Sequence, residues 1–427
     1  MDRAWKGLLK SGIIFLSFSL FVYIFYYIDF LEENTLLDSI AWPNIPSVPP
    51  PVSLNDTSNA ALSNSVILPR PGGGSWLVGD QVEVMIKMFD FKGRPKTHGG
   101  DFLLARLHNQ TLEAGVAGQV VDHLNGTYSA VFLLPWEGKS QVEVISSVWS
   151  NKCDVSFTFM TAHITFTTIC SGCLPPTQQP QCNYTDLNTG ELWFCYKPQN
   201  LSCDARINHF VTNHKPVKCH LLIGQLSAKT NKDIPGPAGY YYKGLWSSLS
   251  GSTVKRLNSA SAISQCLKDK VVHMYGDSTV RQKGHIFNLI LRYIANELDG
   301  VTGGKNTVVV IGFWAHLTIF PIKYYIRRIM SIRKAVVRLL ARAPDTRVII
   351  RTANLKQSPA PHTMIFSDWP SLQRDKILRS MFQGMKVYFV DAWEMTVAHY
   401  LKHDIHPPRP IIKNMIDVVL SYICPPK

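Results

Sequence analysis

Acidic side chains are the scarce class in this chain: 30 Asp and Glu stand against 44 Lys and Arg, a formal net charge of +14. That balance invites nucleic acid, but no RNA- or DNA-binding pattern accompanies it, so nucleic acid is not an expected partner. An acidic glycan or a phosphate-bearing molecule suits such a surface, as does a plain solvated basic face. Zinc lacks support as well. Cys170-Ser171-Gly172-Cys173 has no second ligand pair at finger spacing, and no metal is expected. No small-x-small cleavage site follows the apolar run Ile13 to Ile28, which weakens the reading of that run as a cleaved signal peptide.

What is present points to the secretory pathway. The apolar run approaches membrane-spanning length and is preceded by Arg3, Lys6 and Lys10 and followed by Asp29, Glu32 and Glu33. Positive charge on the N-terminal side keeps that end cytosolic, so a type II signal anchor is expected, with a cleaved signal as the alternative. Nine cysteines fit an oxidising compartment: Cys153, Cys170, Cys173, Cys182, Cys195, Cys203 and Cys219 crowd one stretch, and Cys266 and Cys424 lie apart. Disulfides are expected, with one thiol left over. Glycosylation sequons stand at Asn55, Asn109, Asn125, Asn183 and Asn200.

Composition divides the chain. Residues 1–33 form the tip and anchor, and 34–75 a Pro/Ser/Gly-rich stalk. Over 76–167, short alternating runs with turn residues between them (Val82 to Met88, Thr127 to Leu133, Gln141 to Val148, Val155 to Phe159) predict an immunoglobulin-like β-sandwich. Residues 168–240 form a Cys-rich module. From 266 to 427 the pattern alternates: strands at Val271–Tyr275, Thr307–Phe313, Arg347–Arg351 and Val387–Val390, and helices at Lys283–Leu298, Lys323–Arg342, Ser371–Phe382 and Ile411–Ile423. That alternation predicts an α/β domain with a mostly parallel sheet, whose active residues gather at the carboxyl ends of the strands.

Ser278 follows a buried strand at such an end, in Gly276-Asp277-Ser278. A serine there offers a nucleophile and a backbone N–H to one point in space, which acyl transfer requires. It needs a base. His406, in the loop His403-Asp404-Ile405-His406-Pro407-Pro408, has the proton affinity for the task, and Asp404 or Asp391 is available to orient its ring. Gly312, His316 and Asn354, at other strand ends, are candidates for holding an oxyanion or substrate.

These segments resemble the neurexophilin and PC-esterase domain (NXPE) family. The likeness rests on Gly276 to Gln282, Ala315 to Pro321, Ile326-Arg327-Arg328, Ile350 to Asn354, Asp391 to Thr396 and Ile405 to Pro408. In the N-terminal part it rests on Gly99 to Leu103 and Asn125 to Tyr128, and it runs from Ile67 to Cys424. The resemblance implies a neurexophilin-like domain followed by an SGNH-hydrolase-like (PC-esterase) domain of Golgi enzymes that O-acetylate glycans. It implies Ser278 as nucleophile and His406 as base, with acetyl-CoA as donor and sialic acid on mucin-type glycans as acceptor. A cell-surface protein partner for the N-terminal domain is the other implication, in a non-catalytic ligand with a degenerate esterase domain. Three departures from the family pattern stand out. Position 403, three before His406, is His rather than Asp. The interval after Ser278 is several dozen residues shorter than usual. A family cysteine near Leu249 to Ser252 is absent.

Overall fold

The computed structural model describes residues 35, 58–59, 62–147, 156–160, 165–168, 170–171, 177–185, 194–199, 201–205, 210–212, 237–250, 253–280, 293–318, 322–356 and 368–425. All but residue 35 belong to one of the chain's two units, Trp42–Lys427. The apolar run at 13–28, Cys153, Cys173, Cys219, Asn55 and Asn200 lie outside the described residues. Among the described residues no helix is long and apolar enough to cross a membrane.

The N-terminal half is antiparallel. Strands β1 (Asn64–Ile67), β2 (Gln81–Lys87), β3 (Phe102–Asn109), β4 (Ala114–Asp122), β5 (Thr127–Leu133) and β6 (Gln141–Ser147) form most of one eight-stranded sheet. Strand β4 is shared along its length: Ala114 to Gly118 pair with β3, and Gln119 to Asp122 pair with β5. Val82, Val84, Ile86, Leu103, Ala105, Leu107, Val116, Tyr128, Ala130 and Phe132 pack into one core. The period-2 pattern of β2 (buried at Val82, Val84 and Ile86) explains which face it presents. β1 falls in the stretch read as stalk. It pairs with β2 through its backbone while Val66 and Ile67 stay exposed, so the alternation that marks a buried strand is missing from its sequence.

Strand β3 is buried on both faces. Leu103, Ala105 and Leu107 point into the first core, while Phe102 and Leu104 pack on Leu355, Trp369 and Val397 of the C-terminal half. This is why the sequence Phe-Leu-Leu-Ala-Arg-Leu reads as a nearly continuous apolar run rather than an alternating one.

Short strands occupy the middle of the chain: β7 (Ser156–Met160), β8 (Thr165–Thr168), β9 (Cys170–Ser171), β10 (Gln181–Asn183), β11 (Phe194–Tyr196) and β12 (Phe210–Thr212). They form two separate three-stranded sheets, β12-β7-β8 and β10-β11-β9. Val155 to Phe159 thus supplies a strand, but one that joins β8 and β12 rather than the main sheet. Cys182 is bridged to Cys203, and Cys195 is also disulfide-bonded. A hairpin, β13 (Gly239–Tyr242) and β14 (Leu245–Ser248), then returns to the main sheet, with Tyr240 and Tyr241 paired to Val116 and Gly115 of β4. The two strands pair with each other along their whole length, and β4 is a second partner for β13 alone.

The C-terminal half has a four-stranded parallel sheet in sequential order: β15 (Val271–Gly276), β16 (Thr307–Gly312), β17 (Arg347–Arg351) and β18 (Tyr388–Val390). The helices are α1 (Ala260–Leu267), α2 (Ile294–Gly300), α3 (Ile322–Arg342), α4 (Asp368–Phe382), α5 (Ala392–Ala398) and α6 (Arg409–Ile423). Val308, Val310, Ile349 and Val390 join Met415, Val418 and Leu420 of α6 in one core, which also takes Tyr241 and Trp246 from the hairpin. Val309, Ile311, Val348 and Ile350 on the opposite face are equally buried. Cys266 of α1 is bridged to Cys424 at the end of α6, closing a loop that constrains the unfolded chain by about 2–5 kcal/mol.

One expectation fails on the sheet. Ser278 was expected to follow a buried strand, yet β15 is an edge. Val271 and Met274 are 56% and 53% exposed, and among the described residues only β16 pairs with it.

Candidate functional site: a serine and a histidine at the strand ends

Gly276 closes β15 with φ of +152°, and a Cβ there would collide with the Gly312 carbonyl of β16. Glycine alone fits both demands. The chain then turns through Asp277 to Val280, whose N–H returns to the Asp277 carbonyl at 3.1 Å. Asp277, 1% exposed, sets the shape of this turn. Its Oδ1 accepts from the N–H and hydroxyl of Thr279 at 3.0 and 2.6 Å. Its Oδ2 accepts from Trp314 and Ala315 N–H at 3.0 and 2.7 Å. One buried carboxylate therefore ties the Ser278 turn to the turn that follows β16, and its four donors compensate its burial.

Ser278 sits half-buried on that turn, and its Oγ lies 3.0 Å from His406 Nε2. The two residues are 128 positions apart in sequence. The structure brings them to hydrogen-bond distance, the separation a base needs to take a hydroxyl proton. His406 is exposed, on the loop between α5 and α6.

That loop is held from beneath. Asn354, fully buried just past β17, donates through Nδ2 to the carbonyls of Asp404 and Ile405, both at 3.2 Å, and of Leu355 at 2.8 Å. Its Oδ1 accepts from Arg351 Nη2 at 2.7 Å. Arg351 reaches back toward Thr279 Oγ1 at 3.4 Å and donates to the Thr352 carbonyl at 3.1 Å. Burial pulls the Arg351 guanidinium down to about 10, so it stays charged at neutral pH, with Asp277 as the opposing charge. A chain of polar contacts, Thr279 to Arg351 to Asn354, thus spans from the serine turn to the histidine loop.

The remaining candidates have other roles. Asp404 Oδ1 accepts from the backbone N–H of His406 at 2.8 Å, shaping the loop rather than meeting the ring. Asp391 caps α5 through Glu394 N–H and pairs with Arg379 at 2.7 Å. Among the described residues no carboxylate hydrogen-bonds the His406 ring. Gly312 gives its carbonyl to the Asp277 N–H at 3.3 Å, and a Cβ at this position would collide with the Val280 side chain. His316 lies exposed on a 3₁₀ turn, Ala315–Leu317. Asn354 has spent its amide on backbone carbonyls, so it positions the histidine loop and does not face an acyl oxygen. Among the sequons, Asn125 and Asn183 are exposed, while Asn109 is half-buried and bonded to Leu112 N–H and Lys139 O.

Sequence reasoning passed over Asp277, Thr279, Arg351 and Lys356. Asp277 and Thr279 did carry a signal, since Asp followed two residues on by Thr is a local turn pattern. Lys356 is buried beside the Trp314 ring and donates to Thr318 Oγ1 at 2.6 Å. Burial first, then the Arg374 guanidinium, lower its ammonium to about 7. Among the described residues no group of three or more His, Cys, Asp or Glu side chains is placed to hold a metal.

The parallel sheet and the serine–histidine pair at its strand ends define an α/β protein with a candidate acyl-transfer site. Residues 246–291 and 286–424 match the family model described as NXPE family member 4-like, C-terminal domain, and residues 77–165 match the neurexophilin model. The chain belongs to the neurexophilin and PC-esterase domain (NXPE) family. The two C-terminal segments overlap at 286–291, inside the interval after Ser278 that reads as shortened.

Proposed function

We propose that this protein is a glycan O-acetyltransferase of the secretory pathway, working through a covalent acetyl-serine. The observation that carries the reading is the 3.0 Å approach of His406 Nε2 to Ser278 Oγ at the ends of a parallel sheet. On this reading the C-terminal half is an SGNH-like (PC-esterase) domain, and the antiparallel sheet around β4 is the immunoglobulin-like, neurexophilin-type sandwich. The domain divisions at 33, 75, 167 and 240 belong to the same proposal. So does a single-pass Golgi anchor near the N-terminus, with secretion following if that segment is cleaved.

His406 Nε2 takes the Oγ proton as Ser278 attacks the acetyl carbonyl of the donor, and the Ser278 N–H faces the developing oxyanion. His406 then gives its proton to the leaving thiolate, and the acetyl group remains on Ser278 Oγ. In the second half, His406 accepts the proton of a sugar hydroxyl as that oxygen attacks. It returns the proton to Ser278 Oγ when the ester is released. Acetyl-CoA is the proposed donor, a thioester that an activated serine attacks readily. The exposed Lys402 and Arg409 beside the histidine loop offer counter-charge to its phosphates. Because the histidine is exposed, a bulky acceptor such as a sialic acid on a mucin-type glycan can reach the pair without entering a deep cleft.

Two observations favour a second reading, a non-catalytic glycoprotein that uses its N-terminal half to bind a cell-surface partner. No described carboxylate orients the His406 ring, and the C-terminal family model matches in two segments, 246–291 and 286–424, rather than in one. Acetylated sialic acid on the glycans of secretory cells, compared between wild type and Ser278→Ala, decides between them. Acetylation that depends on Ser278 supports the transferase. Equal or absent acetylation in both overturns it.

A further inference from the structure

Arg106 is a charged residue in the middle of a strand that is apolar from Phe102 to Leu107 but for this one position. Alternation along β3 places Leu103, Ala105 and Leu107 in the core of the antiparallel half, and Phe102, Leu104 and Arg106 on the opposite face. That face does not meet solvent. Phe102 and Leu104 pack on Leu355, Trp369 and Val397, with the Phe102 and Trp369 rings edge to face at 5.4 Å. Arg106 is 5% exposed, and a buried guanidinium must spend both its charge and its donors.

The charge is met within the sheet. Glu143 of β6 stands directly across from Arg106 in the strand register and accepts from its Nε at 2.7 Å. The donors reach out of the sheet. Nη1 donates to the carbonyls of His399 and of Leu401, the latter at 3.0 Å, and lies 3.2 Å from His403 Nε2. Since a guanidinium can only donate, His403 accepts on Nε2 and carries its proton on Nδ1. Burial, and after it the charge of Arg106, hold His403 down to about 3, so it stays a neutral acceptor.

These contacts fall on the loop that carries His406. Arg106 fixes the carbonyls at 399 and 401, and Asn354 fixes those at 404 and 405. The approach is close elsewhere along the seam: Gly115 of β4 lies against the Ala398 carbonyl, where a Cβ would collide. The base of the pair is thus held at one end by its own sheet and at the other by a strand from the neurexophilin-matched half.

We propose that Arg106 is a positioning residue for the Ser278–His406 pair, so that the catalytic site is built across both halves of the chain. This rests on the acetyl-transfer reading above and extends it: the antiparallel half is a working part of the site rather than a detachable binding module. A planar fork with five donors suits the task, because it meets one carboxylate and two carbonyls at once. A lysine ammonium is a single point of charge and cannot span them.

The test uses the full chain with Arg106→Met, Arg106→Lys and the double variant Arg106→Met/Glu143→Gln, which leaves no unpaired carboxylate if the single variant fails to fold. Hydrogen–deuterium exchange of 399–406 is read beside kcat and KM for acetyl transfer. Arg106→Met is expected to speed exchange in 399–406 and lower kcat by about 10²-fold with KM within about twofold, and Arg106→Lys to recover part of the loss. Exchange in 399–406 that matches wild type in Arg106→Met and the double variant overturns the proposal, as does an unchanged kcat. Faster exchange in a protein whose wild type transfers no acetyl group upholds the clamp and overturns the catalytic reading alone.

Discussion

His406 Nε2 and Ser278 Oγ stand 3.0 Å apart although 128 residues separate them in sequence. The first comes from a loop before the last helix and the second from the turn after β15. If the pair performs acyl transfer, Ser278→Ala removes the attacking atom and His406→Gln removes the proton acceptor while keeping a similar volume. Acetyl transfer by His406→Gln is expected to fall by about 10²–10⁴-fold. The double variant should be no worse than Ser278→Ala, because the two act as a unit. Additive losses in the double variant would argue that they act separately.

Asp277 does different work from its neighbour. Its carboxylate accepts four hydrogen bonds, from Thr279 N–H and hydroxyl and from Trp314 and Ala315 N–H. Asparagine in its place offers one acceptor and turns an N–H₂ toward donors. Asp277→Asn is therefore expected to cost about 1–3 kcal/mol for each buried donor left unsatisfied. It should also free the Ser278 turn from the end of β16. Urea unfolding reads the first effect, and labelling of Ser278 by a fluorophosphonate probe reads the second. A variant as stable and as reactive as wild type contradicts this account of the turn.

The parallel half was largely legible in the sequence. Val308 to Ile311 and Val348 to Ile350 are apolar without alternation, and strands covered on both faces leave that mark. The long helix α3 announced itself through Ile326, Ile329, Val336 and Leu339 at helical spacing, all buried. Other features depend on the partner they meet. β13 joins the main sheet because β4 offers Gly115 and Val116 to Tyr241 and Tyr240, and α5 is too short to carry a period. Asn354 was visible as a polar residue at a strand end. That Asn354 faces the histidine loop and not the substrate side depends on where residues 404 and 405 pass, which no local pattern encodes. The edge character of β15 was hidden for the opposite reason: Val271-Val272-His273-Met274-Tyr275 has the composition of a covered strand.

Glu394 gives the fold a pH dependence of known sign. Burial first, then the negative charge of Asp391, push its carboxyl up from 4.5 to about 8, while the Ala238 N–H bonded to it works the other way. Because the folded value is raised, the stability linked to this group is fully present below pH 4.5 and is lost as pH rises through about 8. Between those limits the slope approaches about 1.4 kcal/mol per pH unit. Glu394→Gln keeps an acceptor for Ala238 and removes the titration. Its unfolding free energy should fall less steeply than wild type's across that window, as read by urea denaturation at a series of pH values. Parallel curves for the two proteins would assign the pH dependence to another group.

The exposed edge of β15 carries its own expectation. Among the described residues the strand pairs only with β16, and Val271, Val272 and Met274 lie open at 56%, 37% and 53%. An apolar strand with an unpaired edge is a template for pairing with another chain, and proteins blunt such edges with charge. Here no charged residue stands between Val271 and Gly276. Met274→Lys puts a charge on the strand without touching the buried faces of β16. It is expected to leave the melting temperature nearly unchanged, within the ±0.5 kcal/mol of a surface substitution, and to reduce self-association measured by light scattering at rising concentration. Scattering equal to wild type would mean that the β15 edge takes no part in association.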